Sequence, residues 1–179
     1  MTLLAGKQLH DLIDAGIIDA LHENVNASSI DVRLGNEFLI ERKEAAIAKI
    51  AQKSDEFFDS VRLRDGEKLH VLPNSFFLAF TQEIFNLPDN ISAEFKLRSS
   101  VARDGLNHAL AGWADAGFND AQLTLEFKSW RQYQTLELEV GMRIGQIIFH
   151  KHEPAGENSY AIKGRYNSQR GVQQSKGVR

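Results

Sequence analysis

Hydrophobic residues recur at helical spacing near the N-terminus of the chain. Leu9, Leu12 and Ile13 fall on one face of the segment 6–15, and this spacing predicts an amphipathic helix. Gly16 follows directly and is a typical helix stop, because glycine tolerates the left-handed conformation that often ends a helix. The sequence therefore predicts one short helix ahead of the main body of the fold.

Beyond residue 28 the spacing changes from helical to alternating, which is the pattern of half-buried β-strands. Ile30, Val32 and Leu34, for example, alternate with the polar residues Asp31 and Arg33. Alternation or short apolar runs predict strands at 28–34, 37–40, 68–72, 75–81, 91–97, 121–127, 135–140 and 144–150.

Turn residues separate these short segments, at Gly35-Asn36, at 86–90 and at Gly141-Met142. Many short strands with little helix predict a mainly β protein, built as a sandwich or barrel. The segment 41–59 has no clear pattern, and residues 41–50 are compatible with either a helix or a strand. The chain shows no internal repeat and no low-complexity linker, so we predict a single domain over residues 1–179.

The composition narrows the functional classes. The 179 residues include no cysteine, which excludes a disulfide framework and thiolate chemistry. The net charge of −3 argues against a general nucleic-acid-binding surface. No window has the apolar run of a membrane span, and the N-terminus meets charges too early for a signal peptide. We therefore expect a cytoplasmic protein without a nucleic-acid or membrane partner.

Residues 163–179 form a basic C-terminal arm. This arm contains five lysines and arginines and no acidic residue. Composition alone favours a solvated, mobile segment. The alternative is an arm that closes over a polyanion.

Several familiar catalytic motifs are absent from the sequence. It contains no P-loop, no GxGxxG after a strand, no GxSxG and no HExxH. His150 and His152 would share a strand face and could bind a metal, although an exposed strand face is the favoured interpretation. A zinc-dependent nucleobase deaminase needs a PCxxC half-site, which a chain without cysteine does not supply.

The stretch 98–126 carries the most distinctive chemistry. Arg98, Ser99, Ser100 and Arg103 lie within six residues, and their donors suit a triphosphate or another oxyanion. The alternative is a capped turn with two surface arginines.

Glu126 ends the same stretch, on a strand whose other face is apolar. It shares its polar face with Thr124. Glu126 is either an ordinary solvent-facing residue or a pocket carboxylate with a raised pKa, fit for proton transfer. Asp115 is either a turn residue or an acceptor for a sugar hydroxyl.

Four segments, taken together, resemble the dCTP deaminase family, within the larger dUTPase-like group of nucleotide enzymes. They are SSIDVRLGNEF (28–38), RSSVARDGL (98–106), AGWADAGF followed by LTLEF (111–127), and GMRIGQIIF (141–149) with Tyr160 and RYNSQRG (165–171). The resemblance implies a β-clip type distorted barrel with a short N-terminal helix. It also implies a homotrimer with active sites at the subunit interfaces.

The resemblance further implies hydrolytic deamination of dCTP to dUTP and ammonia without zinc. Glu126 matches the family's general base and proton shuttle, and Ser99 and Arg103 match residues that position the water and the base. Nucleotide contacts are implied for Arg98 and Ser100 at the phosphates, Asp115 at the 3′-hydroxyl, and also Thr124, Gln146, Tyr160 and Gln169. The triphosphate would carry Mg²⁺, and the basic arm would fold over it.

The chain departs from the family pattern around the base pocket, at Leu110, Ala116 and Asp120. Residues 119–122 are one residue longer than usual, and the loop before Ala111 is one residue shorter. Trp113 stands where bifunctional members, which also hydrolyse dUTP to dUMP and pyrophosphate, carry an aromatic residue. A dUTPase without deaminase activity and a catalytically silent nucleotide-binding module remain alternatives.

Overall fold

The computed structural model describes residues 1–43, 47–50 and 57–177. Most of the regular structure in this part of the chain is β. The strands are β1 (Thr2–Leu3), β2 (Ile30–Arg33), β3 (Glu37–Glu41), β4 (Phe58–Arg62), β5 (Lys68–Val71), β6 (Phe76–Asn86), β7 (Ile91–Leu97), β8 (Leu106–His108), β9 (Trp113–Ala114), β10 (Asn119–Ser129), β11 (Leu136–Glu139) and β12 (Arg143–Lys151). The α-helices are α1 (Lys7–Asp14), α2 (Ser99–Arg103) and α3 (Tyr160–Lys163).

Helix α1 confirms the helix predicted at the N-terminus. Leu9 and Leu12 are buried on its inner face, as the helical spacing required. Gly16 follows with a φ of 69°, which is a left-handed conformation that favours glycine. The hydrophobic spacing and Gly16 therefore predicted both the helix and the position near which it ends.

All strand pairs among the described residues are antiparallel, in three sheets. The first sheet has the order β1-β12-β7-β9, with β2 also paired to β12. The second has the order β4-β3-β6-β10-β8, and the third pairs β11 with β5. Strand β10 therefore lies between β6 and β8, and this placement fixes the surroundings of Glu126.

The core fills the space between the sheets. Its largest fully buried side chains include the phenylalanines Phe38, Phe77, Phe85, Phe127 and Phe149. Burying a phenylalanine side chain stabilises the fold by about 1.5–3 kcal/mol relative to leaving it exposed. The inward positions of β3, β6, β10 and β12 therefore hold the sheets together, while their alternate positions remain free for other uses.

The predicted strands are confirmed, with longer ends on β6 and β10. Strands β1, β4, β8 and β9 were not predicted. Within the unclear segment 41–59, residues 44–46 and 51–56 lie outside the described residues. The turn at Gly141 forms as expected, with a φ of 85°. The strands on its two sides, however, pair with different partners, β5 and β2.

No helix in the described ranges has the length and hydrophobicity needed to cross a membrane. The single domain over 1–179, with a mobile arm from residue 163, stays a prediction.

Candidate active site

A cavity of about 490 Å³ lies against the polar face of β10. Its lining comes from β6, β9, β10, α3 and the C-terminal segment. The lining residues with polar groups that could contact a ligand are Trp113, Asp115, Thr124, Glu126, Tyr160, Tyr166, Gln169, Gln173, Gln174 and Ser175. Apolar side chains, among them Phe58, Phe76 and Phe118, complete the wall. A cavity of this size and mixed lining suits a small organic ligand.

Strand alternation places Thr124 and Glu126 in this cavity. Leu123, Leu125 and Phe127 are buried on the opposite face of β10, so the residues between them must point away from the core. The register fixes the position further, because Glu126 lies opposite Leu78 of β6. On the other side of β10, the Glu126 carbonyl oxygen accepts a hydrogen bond from the Ala109 amide at 3.0 Å.

The Glu126 carboxyl group faces a buried histidine. Nε2 of His108 lies 3.5 Å from Oε2 of Glu126, and neither atom has a hydrogen-bond partner. The His108 ring packs against the Phe95 and Phe127 rings at centroid distances of 4.7 and 5.6 Å. The sequence pattern does not mark His108 as a site residue, because a contact between two different strands leaves no sign in the local alternation of either strand.

Asp115 reaches the cavity from the loop after β9. Its Oδ1 accepts a hydrogen bond of 2.8 Å from the Trp113 indole nitrogen. The Trp113 ring stacks on His150 at 5.8 Å, so this loop is tied to β12. A β-carbon on Gly117 would lie 2.2 Å from the Ser159 hydroxyl oxygen. Only glycine therefore permits this close approach, which brings the loop against the residue that precedes α3.

The C-terminal segment closes one side of the cavity. Gln169 makes two hydrogen bonds with Gln122 of β10. The side-chain amide of Gln169 donates to the Gln122 carbonyl oxygen at 2.7 Å, and the Gln169 carbonyl oxygen accepts from the Gln122 backbone amide at 3.1 Å. The Gln173 amide donates to the Thr124 hydroxyl at 3.2 Å. Val172 is buried beside Leu78. The predicted nucleotide contacts Thr124, Tyr160 and Gln169 are thus brought together with Glu126 and Asp115.

The basic side chains of this segment contact the chain itself. Arg165 donates to the carbonyl oxygens of Gly177 and Lys176 at 2.7 and 2.6 Å. The Lys176 ammonium lies over the Tyr166 ring at 4.7 Å, and Arg170 pairs with Asp120. The expected closure of the arm over a triphosphate stays a prediction.

The other predicted site residues lie elsewhere on the same chain. Ser99, Ser100 and Arg103 are exposed on α2, and Arg98 precedes that helix. Gln146 lies on β12, where its side-chain oxygen accepts a hydrogen bond from Ser29 at 2.8 Å. None of these five residues lines the cavity that holds Glu126. One chain therefore presents the predicted site as two separate groups of residues.

His150 and His152, which the sequence placed on one strand face, have separate partners. His150 stacks on Trp113, whereas His152 lies 2.9 Å from the Ser92 hydroxyl. Within the described ranges, no three His, Cys, Asp or Glu side chains cluster in a way that could hold a metal ion.

The chain is similar to curated proteins along almost its whole length. A protein of Persephonella marina named dCTP deaminase, dUMP-forming, is 36% identical, with 97% of this chain and 96% of that protein covered. A protein of Aquifex aeolicus with the same name is 34% identical, with coverages of 95% and 92%. These similarities confirm the resemblance that the sequence motifs indicated.

A solved structure shows the same fold. The 2′-deoxycytidine 5′-triphosphate deaminase from Agrobacterium tumefaciens matches with a TM-score of 0.66 at 20% identity. The match covers 83% of this chain and 48% of that chain, so this chain spans about half the length of that structure. The expected mainly β architecture is confirmed.

The family comparison agrees with both results. Residues 3–152 match the family described as dCTP deaminase-like, a range that includes α2, the Asp115 loop and β10. Because this range spans most of the chain, and because the curated relatives are 34% and 36% identical over almost its whole length, the chain belongs to the dCTP deaminase-like family.

Proposed function

We propose that this chain deaminates dCTP to dUTP and then hydrolyses dUTP to dUMP and pyrophosphate. The observation that carries the proposal is the position of Glu126, whose carboxyl group enters a cavity together with Asp115 and Thr124. The name of the curated relatives, dCTP deaminase, dUMP-forming, supports both the substrate and the final product.

In the deamination step, water attacks C4 of the cytosine ring. The Glu126 carboxylate takes one proton from this water and passes it to N3 as the C4–O bond forms. It then carries the remaining proton of the C4 hydroxyl to the exocyclic amine, which leaves as ammonia when its bond to C4 breaks and the C4 carbonyl forms. A carboxylate suits this role because it can both accept and return the proton. The apolar wall of the cavity, including Phe76 and Phe118, limits the access of other water molecules.

A second copy of the chain supplies the remaining site residues in this proposal. Ser99 and Arg103 would position the attacking water and stabilise charge near the base, and Arg98 and Ser100 would contact the phosphates. Support comes from their placement, since these residues lie outside the cavity of their own chain while their side chains are exposed or half-buried. A closed homotrimer with one site at each interface accommodates this arrangement.

The sugar and the phosphates have their own partners within this scheme. Asp115 would bind the deoxyribose 3′-hydroxyl, with its carboxylate oriented by Trp113. Thr124, Tyr160 and Gln169 complete the nucleotide contacts of the cavity, and Gln146 adds one from β12. In this scheme Mg²⁺ would be carried by the triphosphate oxygens, where it neutralises phosphate charge.

Product analysis tests the reaction. The purified protein is incubated with dCTP and Mg²⁺, and separately with dUTP, and the nucleotides are separated by chromatography. We expect dUMP from both substrates. Accumulation of dUTP from dCTP would restrict the function to deamination, turnover of dUTP alone would indicate a dUTPase, and binding without turnover would indicate a silent nucleotide-binding module.

Light scattering on the purified protein tests the assembly. We expect the mass of a trimer, since the proposed site needs residues from two copies. A stable monomer at the concentration that supports turnover would contradict the shared site.

A further inference from the structure

Two buried polar atoms face each other at the base of the cavity. Nε2 of His108 and Oε2 of Glu126 are 3.5 Å apart, and both are closed to solvent without a hydrogen-bond partner. The His108 side chain is only 4% exposed, whereas that of Glu126 is 29% exposed. The carboxyl group therefore has one enclosed oxygen, and the other remains available to the cavity that Glu126 lines.

The surroundings leave these two atoms with each other as partners. The His108 ring is packed against the apolar rings of Phe95 and Phe127, which offer no carbonyl or carboxylate. A buried polar atom without a partner costs about 1–3 kcal/mol. A shift of about 0.5 Å brings Nε2 and Oε2 to ordinary hydrogen-bond distance. The free energy that this shift costs is much smaller than the cost of leaving both atoms without a hydrogen bond.

The pairing of β8 with β10 fixes the main chains that carry the two residues. His108 of β8 lies directly opposite Phe127 of β10, next to Glu126 along the strand. The Ala109 amide donates to the Glu126 carbonyl oxygen at 3.0 Å. Because directly opposite residues share a face of the sheet, this pairing places the His108 ring beside Phe127. The pairing fixes the main chains of His108 and Glu126 relative to each other, and the contact itself rests on the 3.5 Å between Nε2 and Oε2.

We propose that His108 is a positioning residue for Glu126. Its Nε2–H group donates to Oε2 and fixes the plane of the carboxyl group, which leaves Oε1 as the oxygen that exchanges protons with the substrate. His108 keeps its own proton throughout and transfers none to the substrate. This inference rests on the proposed function, because only a base that must meet a defined atom gains from such restraint.

Two amide substitutions separate this role from simple packing. In His108→Gln the side-chain amide nitrogen can occupy nearly the position of Nε2, whereas in His108→Asn it falls short, near Nδ1. We expect the Gln variant to keep kcat for dCTP within about tenfold of the wild type. We expect the Asn variant to lose about 100-fold in kcat with KM within about threefold, because misplacement by about 1 Å has an effect of this size.

His70→Gln provides a matched control on the exposed strand β5, where His70 contacts Glu137. It should leave kcat unchanged. Thermal unfolding of each variant shows whether its fold is retained. If His108→Asn or His108→Leu retains the full wild-type kcat, the positioning role is wrong.

A spectroscopic measurement tests the contact without any turnover. In ligand-free protein labelled with ¹⁵N-histidine, the His108 signal is assigned by its loss in His108→Gln. We expect a protonated Nε2 whose proton resonance moves in Glu126→Gln. An unprotonated Nε2 in the wild type would overturn the proposal. If the wild type does not turn over dCTP, the proposed function fails, whereas the ¹⁵N result still decides the contact.

Discussion

Arg98 is held in place by a carboxylate that is itself almost completely buried. Nη1 of Arg98 lies 3.3 Å from Asp31, whose side chain is 5% exposed. Arg143 approaches the same carboxylate at 3.6 Å, and the Asn26 amide donates to it at 2.9 Å. Asp31 therefore keeps two arginines of like charge close together on one face, where the phosphates of the proposed substrate would lie.

Asp31→Asn tests this arrangement. Without the negative charge, Arg98 and Arg143 repel each other, and a charge-assisted hydrogen bond worth about 1.5–3 kcal/mol is weakened. We expect KM for dCTP to rise about tenfold, with a smaller change in kcat, in steady-state kinetics. Asp59→Asn, which removes an exposed ion-pair partner of Arg42, is the control and should leave KM unchanged. A fall in kcat at constant KM would place Asp31 in the chemical step instead.

Glu126→Gln tests the proposed base directly. The substitution keeps the shape of the side chain but removes its capacity to accept the water proton, so kcat for deamination should fall by at least about 10²–10⁴-fold. Nucleotide binding, measured by calorimetry, should remain largely intact. The conservative change Glu139→Gln on the exposed side of β11 should have no effect. A Glu126→Gln variant with full activity would remove the basis of the assignment.

At this scale, strand alternation was sufficient to predict that Thr124 and Glu126 share a face away from the core. The position of Asp115 in the cavity came from the family resemblance, since a loop has no periodicity from which to derive it. His108 was missed because its significance depends on a pairing between β8 and β10. Pairing partners are long-range information that the local pattern does not contain.

At the scale of the elements, the pairing between strands β6 and β10 is irregular next to the cavity that holds Glu126. Between the pairs Gln122–Ile84 and Thr124–Phe80, β6 contributes two extra residues. Thr81 fills the gap in the ladder, because its hydroxyl accepts from the Leu123 amide at 3.1 Å and donates to the Glu83 carbonyl at 3.0 Å. A further bulge near Asp120, with a φ of 49°, accommodates an extra residue on β10.

Thr81→Val should therefore destabilise the fold. Valine has nearly the same shape, but it leaves the buried Leu123 amide without an acceptor, at a cost of about 1–3 kcal/mol. Thr81→Ser is the matched control, since it keeps both hydrogen bonds and loses only a methyl group, worth about 0.8 kcal/mol. Urea unfolding measures both free energies. A Val variant more stable than the Ser variant would show that the hydroxyl does not stabilise the bulge.

The same irregular stretch of β6 carries a fully buried acid. Glu83 accepts hydrogen bonds from the Arg33 amide and side chain, each at 2.8 Å. Burial raises the pKa of Glu83 above its ordinary value of 4.5, and the hydrogen bonds from Arg33 oppose this only in part. The folded state therefore binds this proton more tightly than the unfolded state, so ionisation of Glu83 lowers stability as the pH rises above about 4.5.

Glu83→Gln removes this titration. The free energy of unfolding of the wild type minus that of the Glu83→Gln variant should be greatest at or below pH 4.5. It should decrease as the pH rises through the raised pKa. Thermal unfolding of both proteins from acidic to neutral pH measures the difference. A difference that increases with pH would mean that Arg33 stabilises the ionised form more than burial destabilises it.

The elements themselves were largely predictable, and their connections were not. Strand β4 escaped prediction because only Phe58 and Val61 are apolar in it, which is too weak an alternation to recognise. The alternating pattern predicted β11 and β12 correctly, but it did not predict their partners. The turn at Gly141 directs them into different sheets.

For the molecule as a whole, the structure divides the predicted site residues into two groups. The cavity holds Asp115 and Glu126, whereas α2 holds Ser99 and Arg103 away from it. Neither group is complete for the proposed chemistry. The sequence order, with all these residues inside one short stretch, gives no sign of this separation, since it arises from the path of the chain between α2 and β10.

Co-expression of two inactive variants tests whether neighbouring copies share a site. Glu126→Gln retains Arg103, and Arg103→Ala retains Glu126. If each site combines the cavity of one copy with α2 of the next, then random mixing restores about a quarter of the sites in a closed ring. Purification through two affinity tags removes the homotrimers, and each remaining closed trimer has one restored site out of three. We therefore expect the purified mixture to have about a third of the wild-type deaminase activity. A mixture with no more activity than the separate variants would place Glu126 and Arg103 in a site formed by one chain.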